Sequence, residues 1–363
     1  MKAILYKLIL AAVLIPGLTF CNNDLSGKHT KEKKITREFN VSANSNLKVD
    51  NSYGNIDIST WDQNRVVIEV FIKTNGNDPE KVQEKLDEIE VEFNQSSSGV
   101  SAKTHLSGGK SSSWWSNLFS GSSNVNMEIN YIIKAPETNN VDLNNDYGGI
   151  YIDRLLGNSR ITCDYGKIDI LELRGDSNIL DFDYTRNSRF GYIKNAEITA
   201  DYSEFEVEEA ENLKINADYT TTNLKKVSNL EFDADYGSIS VDKVKRIIGN
   251  GDYLSTKIGR IFTSADLNVD YGSLSIDKII KGARNIKIDS DYAGVKIGYD
   301  AGQAFNFNVE ASYGNVKGLE EFQLQKRHDQ NTKQSLQGYH LENNSGSMLT
   351  INTSYANVHF SKK

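Results

Sequence analysis

Aspartate stands directly before tyrosine along most of this chain, and nine such aspartates fall at nearly regular intervals. They are Asp146, Asp164, Asp183, Asp201, Asp218, Asp235, Asp252, Asp270 and Asp291. Carboxylate oxygens in a row are the ligands that hard divalent cations prefer. One hypothesis is therefore a cation-binding groove, and its candidate metal ligands are Asp164, Asp183, Asp201, Asp218, Asp235, Asp252 and Asp270.

The same aspartates have a structural interpretation. Two carboxylates about 4.8 Å apart, the spacing of neighbouring strands, repel each other in water by about 0.9 kcal/mol. Eight such gaps would cost a large part of a domain's stability, so something must offset the repulsion. We expect each carboxylate to accept a backbone N–H from its own corner, as in an Asx turn.

Enzymatic chemistry finds little support in the sequence. No H-E-x-x-H, phosphate-binding loop or G-x-S-x-G motif occurs. A polysaccharide lyase or hydrolase would need two or three acids converging at one place, whereas the acids here are uniform along the repeat. We predict a protein that is not an enzyme and uses no cofactor, with the sugar-active enzyme and the cation-binding scaffold as alternatives.

The tyrosines beside these acids define an internal repeat. They fall at 147, 165, 184, 202, 219, 236, 253, 271, 292 and 313, with further copies of the motif at 53 and 355. The repeat length that these positions define is roughly 17 to 21 residues, a nearly constant period. A period of this kind is typical of a solenoid, in which each repeat buries its apolar face against its neighbours.

Alternation within each repeat indicates strands. Phe232, Ala234 and Tyr236 lie on one face of a strand, and Ile239 and Val241 alternate again after Gly237. We therefore predict an all-β parallel β-helix, a single-stranded solenoid of roughly 17 to 21 residues per rung, with right-handed crossover as the default. Parity predicts tyrosines pointing inward and aspartates outward, and the glycine after many of the tyrosines is expected to supply a positive φ.

Both ends of the repeat carry other signals. Residues 36–140 contain a first repeat and then a predicted strand–helix–strand cap, in which Asp78 is the N-cap of a helix starting at Pro79. Residues 141–319 hold the main repeats. Residues 320–363 contain a polar insertion, expected to belong to a second cap, and a last copy of the motif, expected to form the final rung.

The N-terminus predicts export. Lys2 and Lys7 precede a short apolar run, so residues 1–20 are interpreted as a signal peptide and residues 21–35 as a polar tether. Removing residues 1–20 changes the net charge from −8 to −10, which disfavours nucleic acid as a partner. Cys21 resembles the lipidated cysteine of a lipobox, although Phe20 is larger than the residue that normally precedes it. Lipid attachment and simple cleavage both stay open.

A glycine- and serine-rich stretch, residues 108–123, contains large aromatic side chains. Trp114, Trp115 and Phe119 are costly to leave in water, so they are candidates for a binding or membrane-surface contact. The alternative is that this loop folds over the open end of the solenoid. Cys163, the only other cysteine, lies among apolar positions and is predicted to be a core residue.

The motifs NDYGGIYI, CDYGKIDI, ADYGSISV and VDYGSLSI, with VDNSYGNIDISTWD before them, resemble a bacterial "putative adhesin" family with β-strand repeats, related to the head domain of autotransporter adhesins. The resemblance covers most of residues 36–363. It implies an envelope-associated β-helix with a structural or adhesive role, located at the outer membrane, in the periplasm or on the cell surface. The expected partner is an envelope or cell-surface protein or glycan.

Overall fold

The computed structural model describes residues 27–106 and 125–363, which form 26 strands and one helix. The N-terminal elements are β1 (His29–Asn40), β2 (Asn46–Ser52), β3 (Ile56–Trp61), β4 (Arg65–Gly76), α1 (Pro79–Asp87), β5 (Ile89–Ser96), β6 (Gly99–Leu106) and β7 (Val125–Pro136). The central strands are β8 (Asn140–Asp146), β9 (Gly149–Leu155), β10 (Ser159–Asp164), β11 (Lys167–Leu173), β12 (Asn178–Asp183), β13 (Ser188–Asp201), β14 (Glu204–Asp218), β15 (Thr221–Asp235), β16 (Ser238–Asp252), β17 (Ser255–Asp270), β18 (Ser273–Ile279), β19 (Asn285–Asp291) and β20 (Gly294–Tyr299). The C-terminal strands are β21 (Phe305–Ser312), β22 (Val316–Lys317), β23 (Gln323–Asp329), β24 (Lys333–His340), β25 (Met348–Ser354) and β26 (Val358–Lys362).

The central strands wind around one apolar core. In β15 the buried positions are Thr222, Leu224, Val227, Leu230, Phe232 and Ala234. Steps of two residues keep side chains on one face of a strand, and each step of three marks a corner at which the chain turns. The pattern therefore gives three short sides per rung, and the motif tyrosine lies at the remaining corner.

Neighbouring rungs pair in parallel through nearly all of the central region. Between β14 and β15, for example, Glu204 pairs with Thr221 and Asp218 with Asp235. Equivalent residues therefore lie above one another, and the inward side chains form one continuous core. The prediction of an all-β, mostly parallel solenoid is confirmed, while its handedness and the roughly 17 to 21 residues per rung stay predictions.

The N-terminal region extends the first rung with antiparallel strands. β2 and β3 pair in parallel with β8 and β9, and on their other side with β6 and β7. β4 then pairs antiparallel with both β1 and β7, and β5 pairs antiparallel with β6. The predicted helix is confirmed: the Asp78 carboxylate accepts the N–H groups of Glu80 and Lys81, and Val82 and Leu86 are buried.

The last repeat in the sequence is not the last rung in space. β25 lies between β19 and β21 and pairs in parallel with both, and β26 lies between β20 and β22. β24 covers the far side of β21 in an antiparallel pairing, and β23 pairs with β24. The polar insertion thus contributes strands to the C-terminal end, and the final segment of the chain fills the penultimate position.

Candidate functional site

Each motif tyrosine adopts a left-handed backbone conformation. All twelve have φ between 51° and 65°, as in Tyr202 (φ 51°) and Tyr53 (φ 65°). This region is unfavourable for residues with a Cβ, and it breaks the alternation of a strand. The side chain therefore turns outward, and the prediction that the tyrosines point into the core is wrong.

Glycines follow several of these tyrosines, and their predicted role, to supply a positive φ, is wrong. Gly166 and Gly237 do not have the expected positive φ. Instead, a Cβ on Gly166 would lie 1.9 Å from the carbonyl oxygen of Gly148, and one on Gly237 would lie 2.2 Å from that of Thr220. Glycine is needed here because the backbones of neighbouring rungs approach closely.

The outward tyrosines form one stack along the solenoid, which we call the tyrosine ladder. Its spatial order is Tyr53, Tyr147, Tyr165, Tyr184, Tyr202, Tyr219, Tyr236, Tyr253, Tyr271, Tyr292, Tyr355 and Tyr313. Neighbouring ring centroids lie between 4.6 Å (Tyr292–Tyr355) and 5.3 Å (Tyr53–Tyr147) apart. The ring planes are within 13° of parallel throughout. The strand spacing of a parallel sheet thus sets the spacing of the rings.

The ladder is an exposed aromatic surface. Its rings beyond Tyr53 range from 39% exposed at Tyr147 to 59% at Tyr313. Because each ring covers its neighbour's face, solvent meets mainly ring edges and phenol groups. In Tyr202, Tyr236 and Tyr292 desolvation, followed by the neighbouring tyrosines, raises the pKa of the phenol, so these hydroxyls stay protonated near neutral pH. They are available as hydrogen-bond donors and acceptors.

The aspartates form a column beside the ladder that is half-buried except at the exposed Asp252, and their carboxylates join successive rungs. The Oδ1 of Asp183 accepts the backbone N–H of Asp201 at 3.0 Å, and the Oδ1 of Asp201 accepts that of Asp218 at 3.0 Å. Four further links of this kind start from Asp164, Asp218, Asp235 and Asp270. The predicted acceptance of a backbone N–H is confirmed in kind, but the donor belongs to the next rung and not to the carboxylate's own corner.

These hydrogen bonds offset the electrostatic repulsion between the carboxylates of the column. A hydrogen bond to a charged acceptor stabilises by about 1.5–3 kcal/mol, which exceeds the repulsion of about 0.9 kcal/mol estimated for two neighbouring carboxylates in water. Burial, followed by repulsion from neighbouring aspartates, raises the pKa of Asp146 and Asp252 above its ordinary value. The hydrogen bonds therefore hold the column together at neutral pH, although the carboxylates still repel one another.

Across residues 27–106 and 125–363, no three His, Cys, Asp or Glu side chains converge as a metal site requires. The candidates Asp164 to Asp270 stand in single file, each beside one neighbour above and one below. Such a row offers pairs of carboxylates and not the larger oxygen cage that calcium prefers. A role for these residues in binding metal stays a prediction.

A second surface was not predicted from the sequence. The amide of Asn212 donates to the Oδ1 of Asn195 at 2.6 Å, and Asn229 donates to the Oδ1 of Asn212 at 2.8 Å. These amides line an open groove of about 430 Å³ that runs across several rungs from Asp176 to Ile248. The three asparagines recur at the same interval as the tyrosines around them, so the period that revealed the tyrosines could have found them too.

Other predicted site residues are either outside the described chain or buried. Cys21, Trp114, Trp115 and Phe119 lie outside the described residues. Cys163 has no exposed surface, and burial, followed by the nearby aspartates, raises the pKa of its thiol to about 12. Its prediction as a core residue is confirmed. The helix that the structure describes is too short and too polar to cross a lipid bilayer.

No family model matches the chain, and no curated protein does. Solved structures that match the chain include a putative adhesin from Parabacteroides merdae, with 8% sequence identity, coverage of 92% of this chain and 98% of that chain, and a TM-score of 0.33. A putative adhesin from Parabacteroides distasonis has 9% identity, coverage of 91% and 97%, and a TM-score of 0.30. A putative cell adhesion protein from Clostridium sporogenes has 9% identity, coverage of 92% and 100%, and a TM-score of 0.20. Two of these three proteins share the words "putative adhesin" with the family that the repeat motifs resemble.

Proposed function

We propose that this protein is a noncatalytic binding rod of the cell envelope, and that its tyrosine ladder with the adjoining aspartate column binds an extended, uncharged polysaccharide. The observation that carries the proposal is the unbroken stack of twelve tyrosines, eleven of which are exposed. Exposed aromatic surface of this extent usually marks a place of interaction. Rings that contributed only to the apolar core would be buried.

The spacing of the ladder favours a polymer with a matching repeat. Successive phenol groups recur every 4.6 to 5.3 Å along the solenoid. An extended peptide presents side chains to one face only at intervals of about 6.6 Å, since alternate residues point away. A linear chain of equatorially linked pyranoses repeats about once per rung, so each sugar can meet one ring edge and one hydroxyl.

The charge of the column selects among such polymers. Carboxylates beside the ladder accept hydrogen bonds from sugar hydroxyls, but they repel uronic acids, phosphates and sulfates. The protein as a whole is acidic, with a net charge of −8 over the full sequence. A neutral polysaccharide therefore fits the surface better than a polyanion, and it fits better than nucleic acid for the same reason.

Attachment to the envelope completes the proposal. The apolar N-terminal run followed by Cys21 would place the rod on a membrane surface, with the polar tether between anchor and fold. Mass spectrometry of the mature N-terminus tests this part on its own. A lipidated Cys21 supports anchoring, and an unmodified N-terminus after Cys21 contradicts it without bearing on the ladder.

The ladder is tested by replacing three central rings. Asparagine tolerates the left-handed backbone and removes the phenol, so the variant is Tyr202→Asn/Tyr219→Asn/Tyr236→Asn. Two exposed apolar residues outside the ladder, Leu171→Ser and Phe262→Ser, serve as the matched control. Binding to neutral, acidic and amino-sugar polysaccharides is measured by affinity electrophoresis, with thermal unfolding recorded in parallel.

We expect the triple variant to lose at least about tenfold in affinity for the neutral polymer, equivalent to about 1.4 kcal/mol, while the control keeps wild-type affinity. Equal binding by the triple variant would overturn the proposal. Preferred binding of the amino-sugar polysaccharide would assign the acidic column to a cationic partner and contradict the choice of a neutral polymer. Shortening of the polysaccharide during the assay would favour the sugar-active enzyme.

A further inference from the structure

The C-terminal segment occupies a slot that the rest of the chain leaves open. We define the slot as the space bounded by β19 and β20 on one side and by β21 and β22 on the other. The chain passes directly from Tyr299 to Phe305, at the start of the next rung, and so steps over one position in the stack. That position is filled only when residues 348–362 return to it.

The occupant is held on both sides by backbone pairing and side-chain packing. Met348–Ser354 pairs in register with Asn285–Asp291 and with Asn306–Ser312. Its inward side chains Leu349 and Ile351 are buried, as are Val358 and Phe360 in β26. An empty slot would expose the apolar edges and the unpaired strand groups of two rungs at once, which is the situation that favours capture of another strand.

The connection to this segment is short and conformationally strained. Between β24 and β25 lie residues 341–347, in which Leu341 (φ 62°) and Asn344 (φ 58°) have left-handed backbones and Leu341 is 60% exposed. A non-glycine residue in this region costs free energy that an opened loop would recover. Strained hinge loops of this kind favour exchange of the element they carry.

We propose that the slot is a strand-accepting site whose second occupant, besides the chain's own C-terminal segment, is the same segment of another copy of this chain. The donor segment and the acceptor slot lie at the same end of the molecule. Reciprocal exchange therefore closes into a two-fold dimer joined at the C-terminal ends, and no open filament follows. The inference rests on the order of the strands and is independent of the polysaccharide.

The first test shortens the loop between β24 and β25 so that β25 cannot reach the slot of its own chain. His340 pairs with Phe305 on one side of β21, and Met348 pairs with Asn306 on the other, so the two ends are about two strand spacings, or about 9.6 Å, apart. Deleting Leu341–Gly346 leaves only Ser347 as a linker, which spans about 7 Å. We expect this variant to be a dimer by light scattering with an unchanged circular dichroism spectrum; a folded monomer would overturn the proposal.

The second test uses the intact loop and covers the case in which the deletion variant does not fold. Lys287 and Thr350 are register partners across the slot. A Lys287→Cys copy and a Thr350→Cys copy with different affinity tags are co-expressed, and the fraction carrying both tags is analysed on a non-reducing gel. We expect a disulfide-linked heterodimer.

The matched control pairs Thr350→Cys with Lys257→Cys, an exposed position on β17. It should give no linked dimer. Failure of the Lys287–Thr350 pair to link, or equal linking in the control, would show that copies do not exchange this segment.

Discussion

The carboxylate Oδ1 of Asp235 lies 2.9 Å from the backbone nitrogen of Asp252, one rung farther along the solenoid, and accepts its hydrogen bond. The residue that repels its neighbour electrostatically thus also binds that neighbour's backbone. Any change at this position alters both terms, and suitable substitutions separate them.

Asp235→Ala removes the acceptor and leaves the N–H of Asp252 without this partner. We expect a loss of about 1.5–3 kcal/mol in the free energy of unfolding, less whatever is regained from reduced repulsion. Asp235→Asn keeps an oxygen acceptor and removes the charge, so its stability should lie within about 0.5 kcal/mol of wild type. Urea unfolding compares the two, and equal losses would contradict the role of the hydrogen bond.

The pH dependence of the free energy of unfolding should reflect the raised pKa values of aspartates in the column. Burial raises the pKa of both Asp218 and Asp252 above the value in the unfolded chain. In Asp252, repulsion from neighbouring carboxylates raises the pKa further. The folded state therefore binds these protons more tightly, and the stabilisation appears as pH falls through the folded pKa and is complete below the unfolded one. We expect Asp218→Asn/Asp252→Asn to be more stable than wild type near neutral pH, with the difference vanishing near pH 3.

Asp176 supplies the control of opposite sign. Its hydrogen bond and ion pair with Lys194 lower the pKa of the carboxyl, so its contribution is present at neutral pH and lost as pH falls through the folded pKa. Asp176→Asn should be less stable than wild type near neutral pH and converge with it in acid. Thermal melts across the pH range distinguish the two behaviours, and parallel curves would contradict the assignment.

Tyr219 combines a strained backbone with two stacking contacts, to Tyr202 and Tyr236 at 4.8 and 4.9 Å. Tyr219→Asn keeps a residue that tolerates positive φ and should cost about 1–3 kcal/mol for the two lost aromatic pairs. Tyr219→Val adds a β-branched residue in the same region, at a further cost of about 1–2 kcal/mol. Denaturant unfolding measures both, and equal stability of the two variants would contradict the left-handed corner.

Gly166 and Gly294 offer a matched pair. A Cβ on Gly166 would approach the Gly148 carbonyl oxygen to 1.9 Å, whereas one on Gly294 would have no atom within 4 Å. We expect Gly166→Ala to lose about 1–3 kcal/mol through backbone displacement, and Gly294→Ala to be close to neutral. Melting temperatures give the comparison, and similar values for both variants would contradict the close approach of the rungs.

Cys163 should be chemically silent in the folded protein. Its side chain is fully buried and its thiol pKa is about 12, so almost no thiolate forms near neutral pH. In a Cys21→Ser variant, a thiol reagent such as DTNB should react with Cys163 only after unfolding. Cys163→Ala should retain the fold, because Ala200, Ala217 and Ala234 occupy the equivalent position in later rungs. Rapid reaction under native conditions would contradict the burial.

Periodicity predicted the parallel stack, its core and the column of aspartates, because these depend only on equivalent residues recurring at rung intervals. It misplaced the tyrosines for a physical reason. Counting in twos assumes an extended backbone, and one left-handed residue such as Tyr236 reverses the direction of its side chain. Glycine next to it was the expected site of positive φ, yet stacking stabilises the tyrosine there.

The ends of the repeat show a second limit. Local signals found α1 correctly, since the Asp78 cap and the buried Val82 and Leu86 depend on neighbours in sequence. The position of Tyr355 between Tyr292 and Tyr313 depends on a return of the chain across the preceding hairpin. No spacing within the sequence distinguishes that order from simple succession, which is why the final rung was expected at the end.

The placement of β25 and β26 makes residues 348–362 necessary for closing the stack of rungs. A product that terminates before Met348 lacks the strand that separates two rungs, although every earlier repeat is present. Such a product would show apolar strand edges to the proteases and chaperones that survey newly made proteins. The gap between the two rungs would thereby mark a chain that lacks this segment for degradation.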